Sequence, residues 1–183
     1  FNSKYNNKNY MYYTNSEIKS IIENWFNTNI ASNNNYISKL VSGKYFCEQA
    51  KVTDNSTWLT SSGTNMTPYK SYIPDFKCSN DGNGKGIVNA SVGLINYDET
   101  IYAGGYNNTE RNEKYYLYNG RDYWTMSPVG FTGSYAYDWF ISLVGYVYDH
   151  PVHFPKSLCP VINLKSDTQA SGTGTSSDPF VVQ

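Results

Sequence analysis

Ile18, Ile21, Ile22, Trp25 and Phe26 recur at intervals of three and four, with Glu17, Lys19, Ser20, Glu23 and Asn24 in the gaps. That period predicts an amphipathic helix with one buried face. Thr14 and Glu17 read as its capping box, with Thr14 as N-cap. A second, shorter helix is expected over Asn35 to Val41, carrying Ile37, Leu40 and Val41 on one side and stopping at Gly43. From Lys44 to Lys85 turn residues dominate, and only fragments such as Trp58-Leu59 and Tyr72-Ile73-Pro74 are apolar, so loops are expected. Asn96 then reads as the N-cap of a third helical turn, with Asp98 and Glu99 at its positive start and Gly104-Gly105 at its end.

Beyond Tyr115 the period shifts towards two. Tyr116-Leu117-Tyr118 and Tyr123 to Ser127 read as strands bounded by turn residues. Further on, Trp139, Ile141 and Val144 or Val147 face inward while Phe140 and Ser142 point the other way. Pro160 to Leu164 and Pro179 to Val182 close the chain as short extended runs joined by a Ser/Gly/Thr loop. No internal repeat is visible. The pattern predicts one α+β domain over residues 1–183, with two main helices, short antiparallel strands and long loops.

Composition narrows the function classes. Of 183 residues, 39% are hydrophobic, 17% aromatic and 16% charged, against a usual charged share of roughly 25%. So many aromatics in a chain of this length favour a folded domain over disorder. A net charge of −1 with scattered Lys and Arg leaves no footprint for a nucleic-acid backbone. The apolar stretch from Phe140 to Tyr148 is far short of the ~20 residues of a spanning helix. No signal peptide is visible, and the opening Asn/Lys/Tyr stretch reads as the start of a trimmed or mature fragment.

The 19 tyrosines exceed what a core could bury with every hydroxyl satisfied, so many are expected at the surface. Tyr, Ser, Gly and Asn are also the residues that paratopes favour. An AT-rich genome would inflate Asn and Tyr as well. Such a bias accounts less readily for one gap: asparagine is abundant from Asn2 to Asn119, then absent from Gly120 to Ile162.

Candidate chemistry is sparse. Three cysteines, Cys47, Cys78 and Cys159, allow one internal disulfide. In an oxidising compartment Cys47 with Cys78 is the preferred pair, and three unpaired thiols are the alternative. Asp149, His150 and His153 share a segment but lack a register to aim them at a metal, so no metal site is predicted. Asp81 to Gly86 resembles a calcium loop only superficially, because Lys85 stands at a ligand position and Val92 where a bidentate Glu is needed. The glycosylation-type triplets at Asn55, Asn65, Asn89 and Asn107 are expected by chance. No nucleophile elbow, phosphate loop or redox cysteine pair is present, and Asp98-Glu99 reads as helix capping.

Several segments together resemble one family: Phe46-Cys47, the Cys78 region, Val92 to Gly105, Tyr115 to Pro128, Pro160 to Asp167 and Gly172 to Val182. They are similar to bacterial surface domains with a C-type-lectin-like fold of the formylglycine-generating-enzyme subtype, as found in variable proteins of diversity-generating retroelements. The likeness runs from Thr14 onward and is most specific between Trp124 and Pro160. In such proteins that bracket holds a hypervariable region in which template adenines are randomised, with Asn codons as usual targets. Val, Leu, Phe, Tyr, Asp, His, Pro, Ser and Thr are all reachable from an Asn codon by changing its first two adenines, which would account for the missing asparagines.

The resemblance implies a candidate variable region at 129–156. Its ligand-binding positions would be Val129, Thr132, Tyr135, Asp138, Phe140, Ser142, Val144, Tyr146, Tyr148, Asp149, His150, Pro151, His153 and Phe154. Gly130, Phe131, Gly133, Ala136, Trp139, Ile141, Gly145, Val147 and Val152 would be fixed scaffold. It also implies a non-enzymatic, adhesin-like receptor outside the cell, on a bacterial surface or a phage particle, that binds a protein or glycan ligand without a cofactor. An N-terminal anchor or pilin-like helix would lie outside this stretch. Ser157-Leu158-Cys159-Pro160 departs from the Gly-Val-Arg-Pro of relatives, and the catalytic cysteines of the enzymatic cousins have no counterpart. A non-diversified head domain of a pilus or phage tail is the alternative.

Overall fold

The computed structural model describes residues 1–41, 45–48, 74, 76–78, 85–105, 111–175 and 177–183. The apolar repeat forms helix α1, Glu17–Phe26, with Ile18, Ile22 and Phe26 buried. The buried stripe follows i, i+4, i+8, which leaves the flanks uncovered: Ile21 is 57% exposed and Trp25 41%. Its cap also differs from expectation. Tight turns at Lys8–Met11 and Tyr13–Asn15 carry the chain past Thr14, so the extended cap position falls on Ser16, whose Oγ accepts from the Lys19 N–H. Glu17 instead accepts from the backbone N–H and hydroxyl of Ser3, tying the N-terminal segment to α1.

Helix α2, Asn34–Ile37, is shorter than expected and is capped by Asn33. Leu40 leaves it to form a bridge with Leu164. Gly43 lies outside the described residues, as do Trp58-Leu59, Tyr72-Ile73 and 81–84 of the calcium-loop lookalike. Within the stretch expected to be irregular, Tyr45–Glu48 forms strand β1, which pairs antiparallel with β2, Gly86–Asn89. Cys47 and Cys78 are joined as a disulfide with Cα atoms 5.5 Å apart. Helix α3, Tyr97–Tyr102, carries the expected Asn96 cap with a reciprocal Glu99 contact, and Gly104 follows at a positive φ.

Tyr116-Leu117-Tyr118 forms a turn rather than a strand. The Tyr118 N–H donates to the Tyr115 carbonyl, and the Leu117 carbonyl accepts from the Tyr123 hydroxyl at 2.6 Å. The strand that follows is longer than predicted. β3, Tyr123–Phe131, β4, Ala136–Ile141, and β5, Val147–Pro151, form one antiparallel sheet in the order β3-β4-β5. Register shifts on either side of Pro128 let β3 accommodate a proline that cannot donate to the ladder. Pro160 to Leu164 makes only isolated bridges, Gly93 with Val161 and Leu40 with Leu164, and β6, Ala170–Ser171, pairs with β7, Val181–Val182.

The sheet separates two cores. Trp139 and Ile141 pack with Tyr97, Tyr123, Val129 and Val147. On the other side Ala136 and Phe140 join Met11, Tyr12, Trp124, Met126 and Val152. Phe140 therefore does point opposite to Trp139, as its alternation predicts, but into a second core built by the N-terminal turns and α1 instead of into solvent. The architecture is mixed α+β. No helix among the described residues is long and apolar enough to cross a membrane.

Gly145 turns the β4–β5 hairpin at φ +86°, and a Cβ there would stand 1.9 Å from the Asn112 carbonyl oxygen. Gly145→Ala is expected to cost about 2 kcal/mol or more, from left-handed strain plus displacement of the Asn112 backbone. A fall in the urea midpoint with an unchanged m-value would check this.

Candidate ligand-binding face

The fourteen positions expected to face a ligand divide by burial. Val129, Asp138, Phe140, Ser142 and Asp149 are buried, so these five present no side-chain surface to a ligand. Each has a structural reason. Val129 belongs to the core of Tyr97, Trp139 and Val147. Phe140 lies under the Lys156 ammonium, 3.5 Å from its ring centroid, and against Trp124. Ser142 builds the hairpin turn, its hydroxyl accepting from the Tyr146 N–H at 3.2 Å. Asp138 accepts from the Trp139 N–H at 2.7 Å through Oδ1, while Oδ2 has no hydrogen-bond partner among the described residues. Burial holds its carboxyl well above the usual range, opposed by that N–H and reinforced by Glu48. Burial likewise pushes Asp149 up to about 6.

The other nine reach the surface to different degrees. Tyr135, Tyr148 and Phe154 are exposed, and Thr132, Val144, Tyr146, His150, Pro151 and His153 are half-buried. Thr132 closes the β3–β4 turn by accepting the Tyr135 N–H. Tyr146 and Tyr148 meet edge to face at the hairpin end, 6.1 Å apart.

At the opposite end of the hairpin an aromatic chain forms. The Pro151 carbonyl accepts from the Phe154 N–H, and the turn it closes brings Phe154 within 4.2 Å of His150 and 4.6 Å of His153, ring to ring. His150 continues the chain to Phe140 at 5.7 Å. The two histidines thus have a register after all: β5 aims one and the following turn aims the other. Among the described residues no three His, Cys, Asp or Glu side chains converge as a metal site would require.

Tyr5, outside the positions expected from the sequence, completes the chain. Its ring stacks on Tyr135 at 5.0 Å and 10°, and lies 4.3 Å from His153. The Ala136 N–H donates to the Tyr5 carbonyl at 2.8 Å and fixes the segment along β4. Nothing local marks Tyr5 among its Asn and Lys neighbours; only the long-range pairing with β4 selects it.

Beneath the face Lys156 is an anchor. It is nearly buried, pairs with Asp122 at 3.3 Å and sits over Phe140 and Trp124. Burial lowers its pKa, partly offset by Asp122. Burial, then the Lys156 charge, also lowers the pKa of His150, with Asp122 opposing. Cys159 lies away from this chain, beside Tyr123; its thiol accepts from Asn119 Nδ2 at 3.3 Å and is pushed up by burial.

Chemically, the face offers flat rings held at fixed spacing on a hydrogen-bonded sheet, with the ionisable carboxylates of Asp138 and Asp149 withdrawn beneath it. Such a surface suits binding by stacking and burial. Comparison with family models, with curated proteins and with solved structures gives no match.

Proposed function

We propose that this domain is a non-enzymatic, surface-displayed binding protein with a C-type-lectin-like fold of the formylglycine-generating-enzyme subtype. Its face from Thr132 to Phe154 is diversified by a retroelement and binds a protein or glycan ligand, on a bacterial surface or a phage particle. The observation that carries this reading is the continuous aromatic chain of Tyr5, Tyr135, His153, Phe154 and His150. Four of its five members fall at positions that the family resemblance marks as variable. Exposed aromatics are costly to solubility and dominate interface energies, so a cluster of them on a rigid sheet favours recognition. Paratope-like chemistry adds to this, since Tyr gives large contact area at small rotamer cost.

Burial sharpens the expectation. A codon at a buried position cannot vary freely without damaging the core. Sequencing of this gene and its flanking DNA across a population descended from one clone tests the reading. The expected result is substitution at the codons of Thr132, Tyr135, Val144, Tyr146, Tyr148, His150, Pro151, His153 and Phe154, with a near-copy of the segment close by. Fewer substitutions are expected at Val129, Asp138, Phe140, Ser142 and Asp149. A uniform sequence with no near-copy would overturn diversification and leave a fixed head domain of a pilus or tail assembly.

A further inference from the structure

His150 and His153 each bury Nδ1 with no hydrogen-bond partner among the described residues. A neutral ring tolerates this with its proton on Nε2, because an unpaired acceptor is the milder defect. Protonation places an N–H on Nδ1, where no acceptor stands among the described residues. His153 is the joint of the ring stack, touching Tyr5, Tyr135 and Phe154.

We infer that His150 and His153 make the aromatic face acid-sensitive: protonating them breaks the ring stack, frees Tyr5 from β4 and opens the face. The regulatory meaning rests on the proposed binding role, whereas the opening itself does not.

The charged surroundings give the cations little help. Lys156 repels His150, and the nearby Asp122 is already engaged by Lys156 and by the Leu143 N–H. Asp138, the cross-strand neighbour of His150, is fully buried and resists ionisation, so it supplies no counter-charge. The two histidines repel one another when both are charged. On the N-terminal segment, Lys4 acts on Glu17, which is itself held by Ser3. The rings around His153 are uncharged, and Asp149 alternates to the other face of β5. The lowered pKa of His150 agrees with this picture.

Two measurements on the unliganded protein test it, so a failed ligand search would not touch the result. Imidazole NMR titrations from pH 8 to 4.5 would be recorded together with ring-to-ring NOEs from Tyr5 and the protection factor of the Ala136 amide. The expected result is loss of the Tyr5–His153 and Tyr5–Tyr135 NOEs as the rings protonate, with Ala136 protection falling by roughly tenfold relative to Ile141. In the His150→Phe, His153→Phe double variant the Tyr5–Tyr135 NOE is expected to persist throughout. If that variant does not fold, the wild-type titration decides: NOEs and protection unchanged once both imidazoles are protonated would overturn the inference. The same opening in a folded double variant would also overturn it, by assigning it to other titrating groups.

Discussion

Glu48→Gln is expected to make the protein more stable than the wild type by about 3 kcal/mol above pH 8, and about equally stable near pH 4.5. Glu48 is fully buried. Its Oε2 accepts from the Thr14 N–H at 3.3 Å and its Oε1 has no partner among the described residues. Burial raises its pKa to about 7, and hydrogen bonds from Thr14 and Tyr13 and the charge of Lys85 only partly oppose this. A carboxyl group whose pKa is higher folded than unfolded favours the folded state while protonated. Its contribution is complete below the unfolded value, about 4.5, and is lost as pH rises through about 7. Asp138 and Asp149 are raised in the same direction. Urea melts at half-unit pH intervals would read the effect as a wild-type stability that falls from pH 4.5 to 8, with a shallower fall in the Gln variant. Equal slopes in the two proteins would show that Glu48 ionises as freely folded as unfolded. His150 acts with the opposite sign, because its lowered pKa disfavours the folded state only as pH falls below 6.5.

Opening the disulfide is the other large effect. Cys47 and Cys78 are 31 residues apart, and Cys47 sits on β1, whose partner strand β2 leads into the core around Val88 and Val92. Closing a loop of this length removes chain entropy from the unfolded state equivalent to about 3.5 kcal/mol. The Cys47→Ser, Cys78→Ser variant is therefore expected to unfold at lower urea concentration by that amount. Wild-type protein in reducing agent should match it, and Cys159→Ser should retain wild-type stability to within about 1 kcal/mol. A double variant as stable as the wild type would mean that the unfolded chain keeps these segments together without the bond.

The elements that were legible are those whose cause is local. Asn96 and Glu99 lie within one helical turn, so their reciprocal capping can be read from four consecutive residues. The apolar period announces α1 as a helix, and the Tyr/Trp run from Tyr123 announces a strand. The α1 cap falls on Ser16 and not on Thr14, although both carry hydroxyls and stand two residues apart. Burial of Tyr13, whose hydroxyl reaches the Val92 carbonyl at 3.0 Å, decides between them. Likewise Tyr116 to Tyr118 has strand-forming residues and no partner strand among the described residues, and a strand without a partner is not stable.

For the candidate face the same division holds. Alternation along β4 correctly puts Trp139 and Phe140 on opposite sides, because pleating is a property of one strand. Whether the second side meets solvent depends on what else packs there. The sequence by itself determined a mixed α+β chain, the α1 and α3 helices, the strand character of the runs from Tyr123 and at Trp139, and a surface rich in tyrosine. Only the tertiary structure decided that N-terminal turns cover Phe140 and Asp138, that Tyr5 stacks on Tyr135, and that His150 and His153 share one ring cluster. The contacts made by the N-terminal segment join residues more than a hundred positions apart. Their free energy comes from burying surface on two distant segments at once, which no local period, cap or turn signal records.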